Sequence, residues 1–142
     1  MPRVLLSSAA LIAVCGLTAG GQNTSGTIKL SDVAGVWDYR ATVGATSRTV
    51  VASVLTATGT TTGWTIKHEN DPAVPVRVLE VGGDTIVAEA GPYPSTLRPG
   101  QTVSRLHIVL HYDGGDTMHG AFDAHYASGD VISGRVDAVR TP

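Results

Sequence analysis

Four histidines, His107, His111, His119 and His125, lie close together in the sequence, and imidazole is a common ligand of zinc and copper. The residues around them alternate between polar and apolar, which predicts β-strands. Residues four apart on one strand share a face but lie about 13 Å apart, so His107 and His111 cannot both bind one metal ion. A metal site here would need ligands from neighbouring strands.

The register of the two strands decides which of these side chains meet. If their hairpin pairs Val109 with Ala121, the resulting cross-strand pairs are His111 with His119, and His107 with Asp123. Cross-strand partners have Cβ atoms about 5 Å apart, so either pair could supply two ligands of a zinc or copper site. The sequence names no third ligand. We therefore predict a solvated polar face and no cofactor. If a metal does bind, the candidate ligands are His107, His111, His119 and Asp123.

Catalytic groups are sparse in this sequence. Nucleophilic catalysis needs a serine or cysteine beside a base, but there is no Gly-x-Ser-x-Gly motif, and the single cysteine lies near the start of the chain. Glu80 and Glu89 flank a predicted turn at Gly82-Gly83 and could form a carboxylate pair. The register expected from that turn sets them opposite Thr85 and Val76, apart from each other. We predict that the protein is not an enzyme.

Valine- and threonine-rich runs, separated by glycine and Asp-Gly turns, predict the strands that position these residues. The predicted strands are Trp37–Val43, Arg48–Ala57, Gly63–His68, Val74–Val81, Thr85–Ala90, Val103–Tyr112, Thr117–Tyr126 and Val131–Arg140. A short helical turn capped by Ser31 or Asp32 precedes them. The longest connection contains Pro92, Pro94 and Pro99, which rule out a central strand there.

The last three predicted strands show the clearest two-residue period. Leu106, Ile108 and Phe122 alternate with polar residues and should face inward. Gly120 and Gly134 lie on the same face, where they let the sheet coil or make room for a large neighbour such as Phe122. Successive strands with short connections predict an all-β, eight-stranded antiparallel up-and-down barrel, because closure removes exposed edges. An antiparallel sandwich is the alternative.

The first residues indicate export. A basic start at Met1-Pro2-Arg3 precedes an apolar run, Val4–Val14, that is too short to span a bilayer, and small residues follow up to Gly21. We predict a signal peptide over residues 1–21, a flexible linker over 22–31 and a β-barrel domain over 32–142. The alternative is lipidation of Cys15, since Leu11-Ile12-Ala13-Val14 resembles a bacterial lipobox. Either route places the protein in the periplasm, in the cell envelope or outside the cell.

The charge pattern restricts the partners. The formal net charge is −2 and the charges are scattered, so the basic patch of a nucleic-acid-binding protein is missing. We expect contact with a membrane only through a lipid on Cys15. The sequence does not indicate partner proteins.

Glycine and tryptophan open the first predicted strand, in Gly35-Val36-Trp37. A Gly-x-Trp after a short turn, followed by an eight-stranded meander, resembles the lipocalin (calycin) barrels and, more closely, small lipocalin-like exported proteins of bacteria. The resemblance implies that Trp37 closes one end of the barrel and that a basic residue of the last strand packs over it. Arg140 matches that role, with Arg135 as the alternative. The resemblance implies fold and export, but no activity.

The function depends on what the inward aromatic residues do. A cavity for a small hydrophobic molecule could be lined by Trp37, Tyr39, Trp64, Phe122 and Tyr126. We expect a non-catalytic, lipocalin-like barrel that binds such a molecule. If the same residues fill the interior, the protein is instead a structural or interaction module of the cell envelope. A metal-binding or enzymatic protein is the third alternative.

Overall fold

In the computed structural model, which describes residues 27–44, 48 and 50–142, a one-turn helix, α1 (Leu30–Val33), precedes nine strands. The strands are β1 (Gly35–Val43), β2 (Val51–Ala57), β3 (Trp64–His68), β4 (Val74–Gly82), β5 (Thr85–Ala90), β6 (Tyr93–Pro94), β7 (Thr102–Tyr112), β8 (Thr117–Tyr126) and β9 (Val131–Arg140). The predicted signal peptide, with Cys15, and the linker up to Gly26 lie outside the described residues.

The long strands form a closed antiparallel barrel in meander order. From β1 to β5 each strand pairs with the next, β5 pairs with β7, and β7, β8 and β9 continue the series. Pairing of β9 with β1 closes the sheet. The two-residue β6 pairs with β7 in the same register as β5 and extends the position of β5 in the wall, so the barrel has eight strand positions. The predicted eight-stranded up-and-down barrel is confirmed, and the sandwich alternative is wrong.

Apart from the start of the second strand, each predicted strand end lies within two residues of the observed one. The second strand begins at Val51 rather than Arg48, which lies in a bend. The short β6 was not predicted; its Pro94 is tolerated because the pairing of β4 with β5 ends at Ala90, so no described strand pairs with β6 on the side away from β7. The predicted helix caps are also wrong, because α1 begins at Leu30. Asp32 instead lies inside the helix, where its carboxylate accepts a hydrogen bond from the Lys29 backbone N–H at 3.1 Å.

The inward faces of the strands form one apolar core. Side chains that follow the two-residue period are buried in every long strand, among them Leu106, Ile108 and Phe122 as predicted. Gly120 and Gly134 are sites of close approach. A Cβ at Gly120 would overlap the carbonyl oxygen of Val109, and one at Gly134 would overlap that of Thr42. The barrel wall can coil tightly at both positions because neither residue carries a side chain.

The two ends of the barrel differ. At one end, here called the helix end, α1 lies where β1 begins and β9 ends. At the other, here called the loop end, β3 finishes at His68, and the connections over residues 69–73, 91–101 and 127–130 meet. The core therefore has one end beside a helix and one end bordered by loops.

The close packing at Gly134 gives a first prediction. A Cβ there would also lie 2.7 Å from Cε1 of Phe122, so Gly134→Ala should destabilise the barrel by about 1–3 kcal/mol through overpacking. Gly82→Ala is the matched control, since a Cβ at Gly82 meets nothing within 4 Å. Urea unfolding followed by circular dichroism measures both. Equal stability of the two variants would contradict the close approach.

Candidate functional site

Trp37 and Arg140 meet at the helix end. They are cross-strand partners between β1 and β9, and the guanidinium carbon of Arg140 lies 4.3 Å from the centre of the Trp37 ring. Trp37 is fully buried, and its indole N–H donates to the carbonyl of Val33 in α1 at 2.9 Å. Arg135, the alternative basic residue, is exposed and pairs with Thr42 and Ala121.

Arg140 also binds the backbone that crosses this end. Its guanidinium donates to the carbonyls of Ala34 and of Asp32, the latter at 2.8 Å, and to the carboxylate of Asp116 at 3.2 Å. A Cβ at Gly35 would lie 2.9 Å from Arg140 Nη1, and the φ of Gly35 is +141°. The positive φ favours glycine before Val36-Trp37, and Arg140 would have to shift to make room for a side chain there.

Replacing Arg140 tests whether its contacts stabilise the helix end of the barrel. Arg140→Met keeps an apolar stem over Trp37 but removes the cation–π contact, worth about 0.5–2 kcal/mol, and the donors to the backbone carbonyls. We expect a loss of roughly 1–3 kcal/mol in unfolding free energy. The exposed Arg135→Met on the same strand is the control and should change stability by less than about 0.5 kcal/mol. Similar losses in both variants would show that Arg140 has no special role.

The predicted aromatic residues are all buried, but they lie in different parts of the barrel. Trp64 begins β3 at the helix end, like Trp37, and its indole N–H donates to the Thr60 carbonyl at 2.8 Å. Tyr39, Phe122 and Tyr126 line a gap near the loop end whose volume is only about 30 Å³. The interior is thus nearly filled, and the remaining space is about that of one water molecule.

His68 is the functional candidate that the sequence analysis missed. It is 4% exposed and lines the interior gap, and its Nδ1 lies 2.6 Å from the hydroxyl of the buried Ser53. Its ring lies 5.0 Å from that of Tyr93. The signal was present in β3, where Trp64, Ile66 and His68 share a two-residue period and hence the inward face.

Two polar atoms at this gap lack hydrogen-bond partners within the described part of the chain, His68 Nε2 and Tyr39 Oη. Burial lowers the pKa of His68, because desolvation disfavours the imidazolium, and the Asp71 carboxylate opposes this only partly. Burial also raises the pKa of the Tyr39 phenol. Both groups are therefore neutral near pH 7, and each can donate or accept a hydrogen bond.

A larger cleft opens outside the gap. It has a volume of about 290 Å³ and lies between the segments 71–75 and 92–94, with His68 at its base. His68 and Tyr93 line both the cleft and the interior gap. Four prolines contribute to its walls, so these walls are stiff and largely apolar.

Ser53 and His68 have the hydrogen bond of a nucleophile and its base. In catalytic triads a third group orients the histidine through its other nitrogen. Nε2 of His68 has no partner among the described residues. The pair therefore lacks the third member of a triad among the described residues.

The neutral, buried His68 predicts a pH dependence. The unfolded chain has an ordinary histidine pKa near 6.5 and the folded chain a lower one. Between these values the unfolded state binds more protons, so stability should fall as the pH drops below about 6.5. The difference in Tm between wild type and His68→Gln, measured from pH 8 to pH 5, isolates this contribution. The advantage of the wild type should shrink with acid; a constant difference would contradict a neutral, buried His68.

The histidines of β7 and β8 lie on the outer wall in the predicted register. Val109 pairs with Ala121, which sets His111 opposite His119 and His107 opposite Asp123. The rings of His111 and His119 stack with centres 5.3 Å apart. Asp123 accepts a hydrogen bond from Ser133, and Arg105 lies 3.3 Å from His125. No cluster of three or more metal-binding side chains is found among the described residues.

The predicted register of Glu80 and Glu89 is wrong, although they do lie apart. Glu80 faces Val87, and Glu89 faces Arg77, with which it forms an ion pair at 3.6 Å. The turn between β4 and β5 lies one residue later than expected, and a bulge near Leu79 shifts the pairing again.

Comparison with known proteins finds no matching family model, curated protein or solved structure. Among the described residues, no helix is long and apolar enough to cross a membrane.

Proposed function

We propose that this protein is an exported, non-catalytic, lipocalin-like barrel that binds a small, largely apolar molecule at its loop end. The observation that carries the proposal is the position of two buried polar atoms, His68 Nε2 and Tyr39 Oη, at a gap that adjoins an apolar cleft. Neither atom has a hydrogen-bond partner among the described residues. The ligand would lie mainly in the cleft and reach the gap with one small group.

The volumes of the cleft and of the interior gap support a ligand that lies mainly in the cleft and places one small group in the gap. The cleft, at about 290 Å³, is close to the lower limit of roughly 300 Å³ for small-molecule pockets. The interior gap of about 30 Å³ has room only for a hydroxyl, a carbonyl or a similar group. The expected ligand is therefore shallowly bound, unlike one enclosed in the middle of a barrel.

The polarity of the gap indicates the kind of group that would enter it. A buried polar atom without a partner costs about 1–3 kcal/mol, so a ligand atom that pairs with His68 or Tyr39 would recover that cost. None of the described residues that line the gap carries a formal charge, and His68 is held neutral by its burial. A neutral polar group would therefore enter more readily than a carboxylate.

Two further features support the finer parts of the proposal. The contact between Arg140 and Trp37, next to Gly35, has the form that the lipocalin resemblance implies. The basic and apolar pattern of residues 1–21 supports export, by cleavage before Gln22 or with a lipid on Cys15.

The nearly filled interior favours a second candidate function. If the small gap takes no ligand group, the barrel is a structural or interaction module of the cell envelope, and its outer surface carries its role. The two candidates differ in whether a small molecule stays with the loop end.

Native mass spectrometry of the protein purified from its own host tests the proposal. We expect a small molecule bound in a ratio of one to one. Ala73→Trp, at an exposed position on the cleft wall, should remove it by filling the cleft. Ala121→Trp, at an exposed position on β8 away from the cleft, is the matched control and should retain it.

The outcomes separate the candidates. Loss of the molecule in both tryptophan variants, or retention in both, would place binding outside the cleft. A wild-type protein that carries no molecule would favour the filled module. The mass of the chain in the same spectra also gives its mature N-terminus. A chain that keeps its first residues without a lipid would contradict export by either route.

A further inference from the structure

We propose that His111 and His119 bind a divalent transition-metal ion between them on the outer wall of the barrel. This site is independent of the loop end, because both residues lie near the Asp113–Thr117 turn at the helix end. The two imidazoles would supply two ligands, and water would complete the coordination.

The spacing of the two rings suits one shared ion. His111 and His119 are direct cross-strand partners, and their ring centres lie 5.3 Å apart. A metal–nitrogen bond of about 2.0–2.1 Å places each ring centre roughly 3 Å from the ion. Two such radii span the observed separation, but the nitrogen lone pair lies in the plane of each ring and the rings are stacked, so at least one ring must rotate out of the stack for both Nε2 atoms to reach one ion. No change in strand register is needed.

Each of the two histidines has a carboxylate close to its Nδ1 atom. Nδ1 of His119 lies 2.6 Å from Asp113, and Nδ1 of His111 lies 3.3 Å from Asp84. The Thr85 hydroxyl, 3.1 Å from the same Nδ1 of His111, itself donates to Asp84 and so accepts from the ring. Because a carboxylate also only accepts, each neutral ring carries its proton on Nδ1 and keeps its lone pair on Nε2. Metal-binding histidines have this same arrangement, in which an outer carboxylate fixes the tautomer and the direction of the ring.

The local charge also favours a cation. Asp137 is the cross-strand partner of His119 on β9, which adds a third carboxylate to Asp84 and Asp113. Both histidine side chains are partly exposed, at 37% for His111 and 57% for His119, so an ion from solution can reach them. This accessible histidine pair, beside carboxylates, is a set of donors that suits zinc and copper rather than magnesium or calcium.

The other histidines on this wall lack the same arrangement and provide controls. His107 faces Asp123, and His125 lies beside the cationic Arg105. Neither has a second imidazole as its cross-strand partner. Replacing either of them should leave metal binding unchanged.

Calorimetric titration of the untagged full chain with Cu²⁺ and with Zn²⁺ tests the site. We expect one ion per chain, with Cu²⁺ bound more tightly than Zn²⁺. His111→Ala and His119→Ala should each weaken binding at least tenfold, whereas His107→Ala and His125→Ala should not. Asp113→Asn should weaken it less than loss of a ligand, because it only orients His119. Far-UV circular dichroism checks that each variant is folded.

Electron paramagnetic resonance of the Cu²⁺ form gives an independent readout. The spectrum should show coupling to two imidazole nitrogens, and to one after either histidine is replaced. Absence of binding, binding that survives both substitutions, or binding that depends on only one of the two histidines would overturn the proposal.

Discussion

Closure of the sheet by the pairing of β1 with β9 is the constraint on which the rest of the structure depends. An eight-stranded barrel has an interior just wide enough to be filled by side chains. Each large inward residue therefore needs a small one nearby, as Phe122 faces Gly134. Gly120 likewise lets the wall approach the carbonyl of Val109. Once these requirements are met, little space remains inside, and a ligand must enter from an end.

The two ends of the barrel differ in whether their buried polar groups have hydrogen-bond partners. At the helix end, Arg140 donates to the carbonyls of Asp32 and Ala34, and Trp37 donates to that of Val33. A short helix leaves its last carbonyls without partners, and these two side chains satisfy them. At the loop end, Tyr39 Oη and His68 Nε2 are buried without such partners in the part of the chain that the structure describes. Because buried polar groups in proteins are nearly always paired, these two atoms are the exception that the proposed ligand would remove.

Local patterns were sufficient to predict most of the barrel. Glycine and aspartate turns separate runs with a two-residue period, so the ends of β5, β8 and β9 could be predicted from the sequence. The hairpin after Tyr112 also gave the correct register, which brought His111 opposite His119. The β4–β5 pair could not be predicted in the same way. Its turn falls on Gly83-Asp84 rather than Gly82-Gly83, and a bulge near Leu79, which no residue pattern marks, shifted the register further.

The candidate site was harder to predict because aromatic residues have the same pattern in a filled barrel as in a hollow one. Trp37 and Trp64 were expected to line a cavity, yet both lie at the helix end and donate hydrogen bonds to nearby carbonyls. Whether these side chains leave a cavity depends on their rotamers and on the strand register, and amino-acid composition determines neither. An inward polar residue is more informative. Placing His68 in line with Trp64 and Ile66 costs desolvation that an apolar residue would avoid. Such a residue is a candidate for a functional role, and the period of β3 was enough to reveal that it faces inward.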